Sequence, residues 1–249
     1  NWDAYLAGKA NKAQSAFYQP QPSEELYDTE ADPHEVNNLA GSNPKMVKAM
    51  RAKLRAHMLD ARDLGLIPEL LMESVDLSGQ QTIFEFGQSN ANYPLERVLN
   101  LAIKASDGNP KDQSTFVKSL KDENPIIRYW GIVGLRILGE QAKGIDALME
   151  KALADPEPSV RIQAAIYLGR MGQVDRAVGF LLKEAENAKG DMHAAWALDG
   201  IKLLDVKDSL AHYKDPLKAL SKGSYSSRVV KFLRAGGTIA NRPPRGFQR

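Results

Sequence analysis

The sequence predicts a mainly α-helical fold, with α-α pairs stacked into a superhelical array behind a small element of one short strand and one amphipathic helix. Two observations carry that prediction. Residues 122–139, D-E-N-P-I-I-R-Y-W-G-I-V-G-L-R-I-L-G, superimpose at an offset of 33 on residues 155–172, D-P-E-P-S-V-R-I-Q-A-A-I-Y-L-G-R-M-G. Apolar residues also recur at three- and four-residue steps over residues 43–64 and from Tyr93 onward, the period of one helical face.

Residues 1 to about 42 are rich in Pro, Gln, Asp and Asn, and their one apolar cluster is Glu25-Leu26-Tyr27-Asp28. Pro20 and Pro22 force extended backbone before it and Asp32-Pro33 favours a turn after it, so the cluster reads as a short strand whose sheet lies elsewhere. From Asn43 to about Leu64, Met46, Val47, Met50, Leu54, His57, Met58 and Ala61 mark the apolar side of one amphipathic helix. Ser42 or Asn43 serves as its N-cap, Pro44 suits its first turn, and Gly65 and Pro68 stop it. Little periodicity is visible over residues 66–92, which read as a linker. The expected division is therefore residues 1–65, a linker over 66–92, and helical repeats over 93–249.

Within the repeats, the two strong copies share Pro, a β-branched residue, Arg, a small residue, Leu and Gly at matching places. A weaker third copy maps Ala164, Leu168 and Met171 onto Ala197, Ile201 and Leu204, and a fourth around Arg228 to Leu233 fits after a shift of one. Second helices are expected over Ile145 to Ala154 and Ala177 to Glu186. A single pair cannot bury its apolar face, so neighbours stack and share one core. The array is HEAT-like in this respect.

Charge and composition exclude several classes of function. With 33 Lys and Arg against 31 Asp and Glu, the net charge of +2 gives no general attraction to nucleic acid or anionic membranes. A nucleic-acid-binding array would need its basic residues gathered on one face. No segment approaches the ~20 apolar residues of a membrane span. The absence of cysteine removes disulfides, thiolate metal sites and a cysteine nucleophile. Asn1-Trp2-Asp3 lacks an initiator Met and a signal-peptide profile, and reads as a cut inside a longer chain.

Glu24 to Ala40, reading E-E-L-Y-D-T-E-A-D-P-H-E-V-N-N-L-A, resembles the C-terminal signature of bacterial sulfatases, E-L-Y-D-L-x-x-D-P-x-E-x-x-N-L. The preceding Ala13 to Pro20 is similar to the run that leads into it in sulfatases like the heparan N-sulfatase group. Gly65 to Glu69 and Tyr93 to Leu99 are similar to the junction in members with an added helical repeat domain. The resemblance implies a small antiparallel C-terminal sheet beside an upstream catalytic domain, a parent enzyme hydrolysing sulfate esters of glycans, and a periplasmic or extracellular location. It also implies a formylglycine nucleophile from a C/S-x-P-x-R motif and Ca²⁺ held by Asp and Asn. No such motif is in this chain: Ser42-Asn43-Pro44-Lys45-Met46 puts Met where Arg belongs. Sulfate ester hydrolysis needs that nucleophile, a metal on the sulfate oxygens and an acid for the leaving alcohol. The expected set of catalytic, cofactor-binding and metal residues in this chain is therefore empty. The repeats become an interaction or substrate-presenting module for protein or sulfated glycan. The rival from another class is a standalone HEAT-like scaffold that binds protein.

Other residues admit bland and functional readings. Asp32, Glu35 and Asn37 have the two-residue steps of a Ca²⁺ loop, yet Asp-Pro followed by Asn is ordinary turn chemistry. His34, His57, His193 and His212 are scattered without zinc-site spacing, and His57 is expected to pack on its helix's apolar side. Arg128 and Arg161, at equivalent repeat positions, would pair with an acid or cap a neighbouring carbonyl, or else form a basic ladder for an anionic partner. Trp130 and Trp196 read as core rather than as a sugar-stacking platform. The tail over residues 241–249 is basic, Pro-rich and expected to be extended.

Overall fold

A polar residue followed by proline starts the helices at Pro125 and Pro158, and a left-handed glycine ends those before Gly79 and Gly108. The computed structural model describes residues 2–19, 21–204, 206, 217 and 220–234. The expectations for His212 and for the tail over 241–249 fall outside the described residues. Two compact units divide the chain, one formed by the described residues up to Asp63 and the other by those from Leu64 onward.

The first unit holds α1 (Trp2–Leu6), α2 (Lys12–Ala16) and α3 (Pro44–Asp60). Trp2, Tyr5 and Tyr18 gather α1 and α2 into one aromatic cluster, with ring centroids 4.7 to 5.7 Å apart. The expected strand over Glu25 to Asp28 does not form, and no strand occurs among the described residues. Instead the Leu26 N–H donates to Asn38 Oδ1 at 3.1 Å and Leu39 N–H donates to the Leu26 carbonyl at 2.7 Å, so a local loop satisfies that backbone. A single extended run without a neighbouring strand has no ladder to join. The amphipathic helix is four residues shorter than expected at its C-terminal end, closing where the Ala61 N–H donates to the His57 carbonyl. Pro44 opens it as expected, and Asn43 sits at the cap without a side-chain hydrogen bond. Its apolar stripe is open. Met46, Met50 and Leu54 are 52%, 52% and 59% exposed, His57 is exposed rather than packed, and none of α1 to α3 contributes a buried residue.

The second unit begins where a linker was expected. Residues 66–92 contain α4 (Glu69–Ser78) and α5 (Ile83–Gln88), with Gly79 at φ 62° closing α4 and a Thr82–Glu85 capping box opening α5. Helix α4 buries Leu70 and Val75 and packs against α10 (Pro158–Arg170) and α12 (Asp191–Lys202). The Glu73 carboxylate accepts the Met192 and His193 N–H groups at 2.9 and 3.0 Å, satisfying donors that the start of α12 would leave unmet.

The remaining helices are α6 (Leu95–Asp107), α7 (Gln113–Ser119), α8 (Pro125–Leu138), α9 (Asp146–Ala152), α11 (Val174–Glu186) and α13 (Ser224–Arg234). First helices α6, α8, α10 and α12 pack in succession, with α7 against α8, α9 and α11 against α10, and α11 and α13 against α12. The 33-residue offset becomes visible as chemistry. Asn124 and Glu157 cap α8 and α10, Pro125 and Pro158 occupy the first turn, and Asp122 and Asp155 accept the cap residue's own N–H. The third copy, weak in sequence, still buries Ala197, Ile201 and Leu204. Glycine permits the close approach of α7 to α8, since a Cβ on Gly134 would lie 2.6 Å from the Phe116 ring of α7.

Candidate interaction surface of the helical repeats

Arg128 and Arg161 resolve in the same way, and the way is structural. Arg128 makes a two-pronged pair with Asp155 of the following repeat at 2.8 and 2.9 Å, while its third nitrogen donates to the Asp122 and Glu123 carbonyls. Arg161 repeats the pattern with Glu184 at 2.9 and 2.8 Å and the Asp155 and Pro156 carbonyls. Each guanidinium thus ties the loop before its own helix to an acid farther along the chain, using the planar fork that lysine lacks. The two acids differ because the repeat has drifted. Ala188 stands 33 residues after Asp155, so the carboxylate comes from Glu184 on α11 instead. No basic ladder faces outward at these positions.

His193 joins the second pair, its Nε2 lying 3.1 Å from Glu184. Burial pushes the Glu184 carboxyl up, but hydrogen bonds from His193 and Arg161 outweigh it and hold the group below its ordinary value of 4.5. A depressed carboxyl contributes stability that is complete above that ordinary value and lost as pH falls through the folded-state value. Glu184→Gln should therefore cost about 2 kcal/mol at pH 7, the scale of a hydrogen bond to a charged group. The difference from wild type should shrink as pH falls below 4.5, measured by urea midpoints across pH 3 to 7. Arg136 on α8 makes the contrast: burial lowers its pKa to about 10, neighbouring Arg170 adds to the effect, and its Nε has no hydrogen-bond partner among the described residues. It is a cost rather than a clamp.

Trp130 and Trp196 sit half-buried at the seam with the α4 segment, and Trp196 packs against the core cluster. Trp130 donates to the Leu66 carbonyl at 2.9 Å and Trp196 donates to Glu69 at 3.1 Å. Neither indole face is arranged with the other, since it is Tyr129 that lies beside each. Asp32 spends one carboxylate oxygen on the Val36 and Asn37 N–H groups at 2.9 and 2.7 Å, and Glu35 takes a left-handed φ of 51° in that turn. Ser42 donates its hydroxyl to the Leu39 carbonyl just before α3, and His34 is exposed. These residues share no common site.

What the array leaves open lies between second helices. Both α7 and α9 have seven residues, whereas α8 has fourteen and α10 thirteen, so the outer layer is incomplete there. An open groove of about 650 Å³ results, with Val117, Ile145 and Leu148 in its lining and Lys111, Lys118 and Lys121 around it. All three lysines are exposed and carry no ion pair among the described residues. Residue-by-residue reading missed the groove, because its signal is the shortness of two helices.

Residues 114–202 match the family model for HEAT repeats. That span runs from α7 through α12 and contains both Arg128 and Arg161. No curated protein and no solved structure matches the chain. No helix among the described residues is long and apolar enough to cross a membrane.

Proposed function

We propose that the HEAT repeats of this chain form a non-catalytic interaction or substrate-presenting module, and that residues 1–65 complete the C-terminal subdomain of a formylglycine-dependent sulfatase acting on sulfated glycans. The observation that carries the first statement is the repeated helix stack with its lysine-rimmed groove. Helical repeat arrays bind through such extended surfaces.

The second statement rests on the run from Glu24 to Ala40 and on the open stripe of Met46, Met50 and Leu54. Among the described residues α1 to α3 contribute no buried side chain, and a larger domain laid against α3 would cover its apolar stripe. On this reading the nucleophile, Ca²⁺ and sulfate chemistry belong to an upstream catalytic domain, and the parent acts in the periplasm or outside the cell. Two measurements test it. The chain supplied with Ca²⁺ and a formylglycine-generating enzyme should turn over no aryl sulfate, and DNA upstream of the Asn1 codon should encode an in-frame C/S-x-P-x-R motif. A start codon beside Asn1 would remove the sulfatase and leave a standalone protein-binding scaffold.

A further inference from the structure

We propose that the groove between α7 and α9 docks an acidic peptide segment of a partner protein, one that carries an aliphatic side chain between its carboxylates. This rests on reading the repeats as an interaction module and adds the place and the partner's chemistry. Lys111, Lys118 and Lys121 rim one groove with no Asp or Glu in its lining, and their repulsion is relieved when an anionic partner docks. Two acids close by in the chain are committed, Asp112 to Lys104 and Asp122 to Arg97, and Asp146, next to Ile145, is not in the lining.

The floor decides between classes of anion. Val117, Ile145 and Leu148 offer aliphatic surface and no aromatic face for a sugar ring. The one side-chain amide at hand is occupied: Gln113 Nε2 donates to the Lys143 carbonyl at 2.7 Å and its Oε1 accepts the Lys143 N–H at 3.2 Å. These two hydrogen bonds fix the start of α7 to the loop before α9, so the groove is pre-formed and little ordering is needed on binding. From Lys111 to Lys121 the chain rises roughly 15 Å at helical pitch. An extended peptide covers that in about four to five residues, enough for a carboxylate at either end and an aliphatic side chain between.

The test is fluorescence anisotropy on the full chain with a labelled nonapeptide of Glu residues flanking two Leu. Saturable binding that weakens as salt rises is expected, with affinity at least tenfold lower in K111E/K118E/K121E. Reversal of two exposed lysines outside the groove, K151E/K189E, should leave it unchanged, and circular dichroism should show all three proteins equally helical. Replacing the peptide's Leu residues with Ser should weaken binding to the wild type several-fold. Equal binding by the triple variant overturns the groove, as does indifference to Leu in the peptide. A heparin-derived hexasaccharide that binds through these lysines where the peptide does not would also overturn it. None of these outcomes bears on the sulfatase reading, which the upstream DNA decides.

Discussion

Arg128→Met should lower the unfolding free energy by about 3–5 kcal/mol, the scale for removing one partner of a buried ion pair. Arg128 and Asp155 are only 12% and 11% exposed, so the lost charge leaves a carboxylate that water cannot reach well. The Asp122 and Glu123 carbonyls lose their donor at the same time. A surface pair sets the comparison. Arg176 and Glu150 are also bonded two-pronged but are 54% and 34% exposed, and Arg176→Met should cost far less than Arg128→Met, because water screens the pair. Pairing Arg128→Met with Asp155→Asn should recover part of the loss, because no unpaired charge then remains, though the bond from Glu157 N–H to Asp155 is perturbed. Urea titrations of the four proteins at pH 7 measure this. Equal costs for Arg128 and Arg176 would show that burial does not set the strength of the clamp.

Phe116→Ala should cost about 3–5 kcal/mol, the range for truncating a fully buried phenylalanine. Phe116 is inaccessible to water, and its ring occupies the space that Gly134 leaves on α8. Gly134→Ala alone should be destabilising by about 1–2 kcal/mol, since overpacking at 2.6 Å outweighs the ~1 kcal/mol that alanine gains over glycine inside a helix. In the Phe116→Ala background the ring is gone and only the propensity gain remains. There Gly134→Ala should become stabilising. A double-mutant cycle by chemical denaturation reads that change of sign, and a Gly134→Ala effect independent of residue 116 would mean the two helices do not meet as described.

The elements legible beforehand were those whose causes are local in the chain. Asn124-Pro125 and Glu157-Pro158 announce helix starts, the 3.6-residue stripe of α8 and α10 announces which faces are covered, and the 33-residue offset announces stacking. Arg128 and Arg161 showed their equivalence in the same way, and an acid or a carbonyl was the expected partner. Which acid was not legible for Arg161, because Glu184 lies outside the repeat register after Ala188 replaced the aspartate. Residues 66–92 were illegible for a different reason. Helix α4 is ten residues long, and its Glu73 finds its partners at Met192 and His193, some 120 positions away. The strand expected at Leu26 depended on a sheet that the described residues do not contain, and α3's apolar face depended on a cover of the same kind.

Helical character, stacked pairs and the lack of a C/S-x-P-x-R motif over these 249 residues could be read along the chain, since periodicity, caps and motifs are written in neighbouring residues. The place of α4 in the repeat core, the clamping role of the arginines and the gathering of three lysines of a near-neutral chain around one groove came only with the packed fold. Charge and apolar character are properties of residues, whereas which of them face a common space depends on where the second helices of the stack fall short.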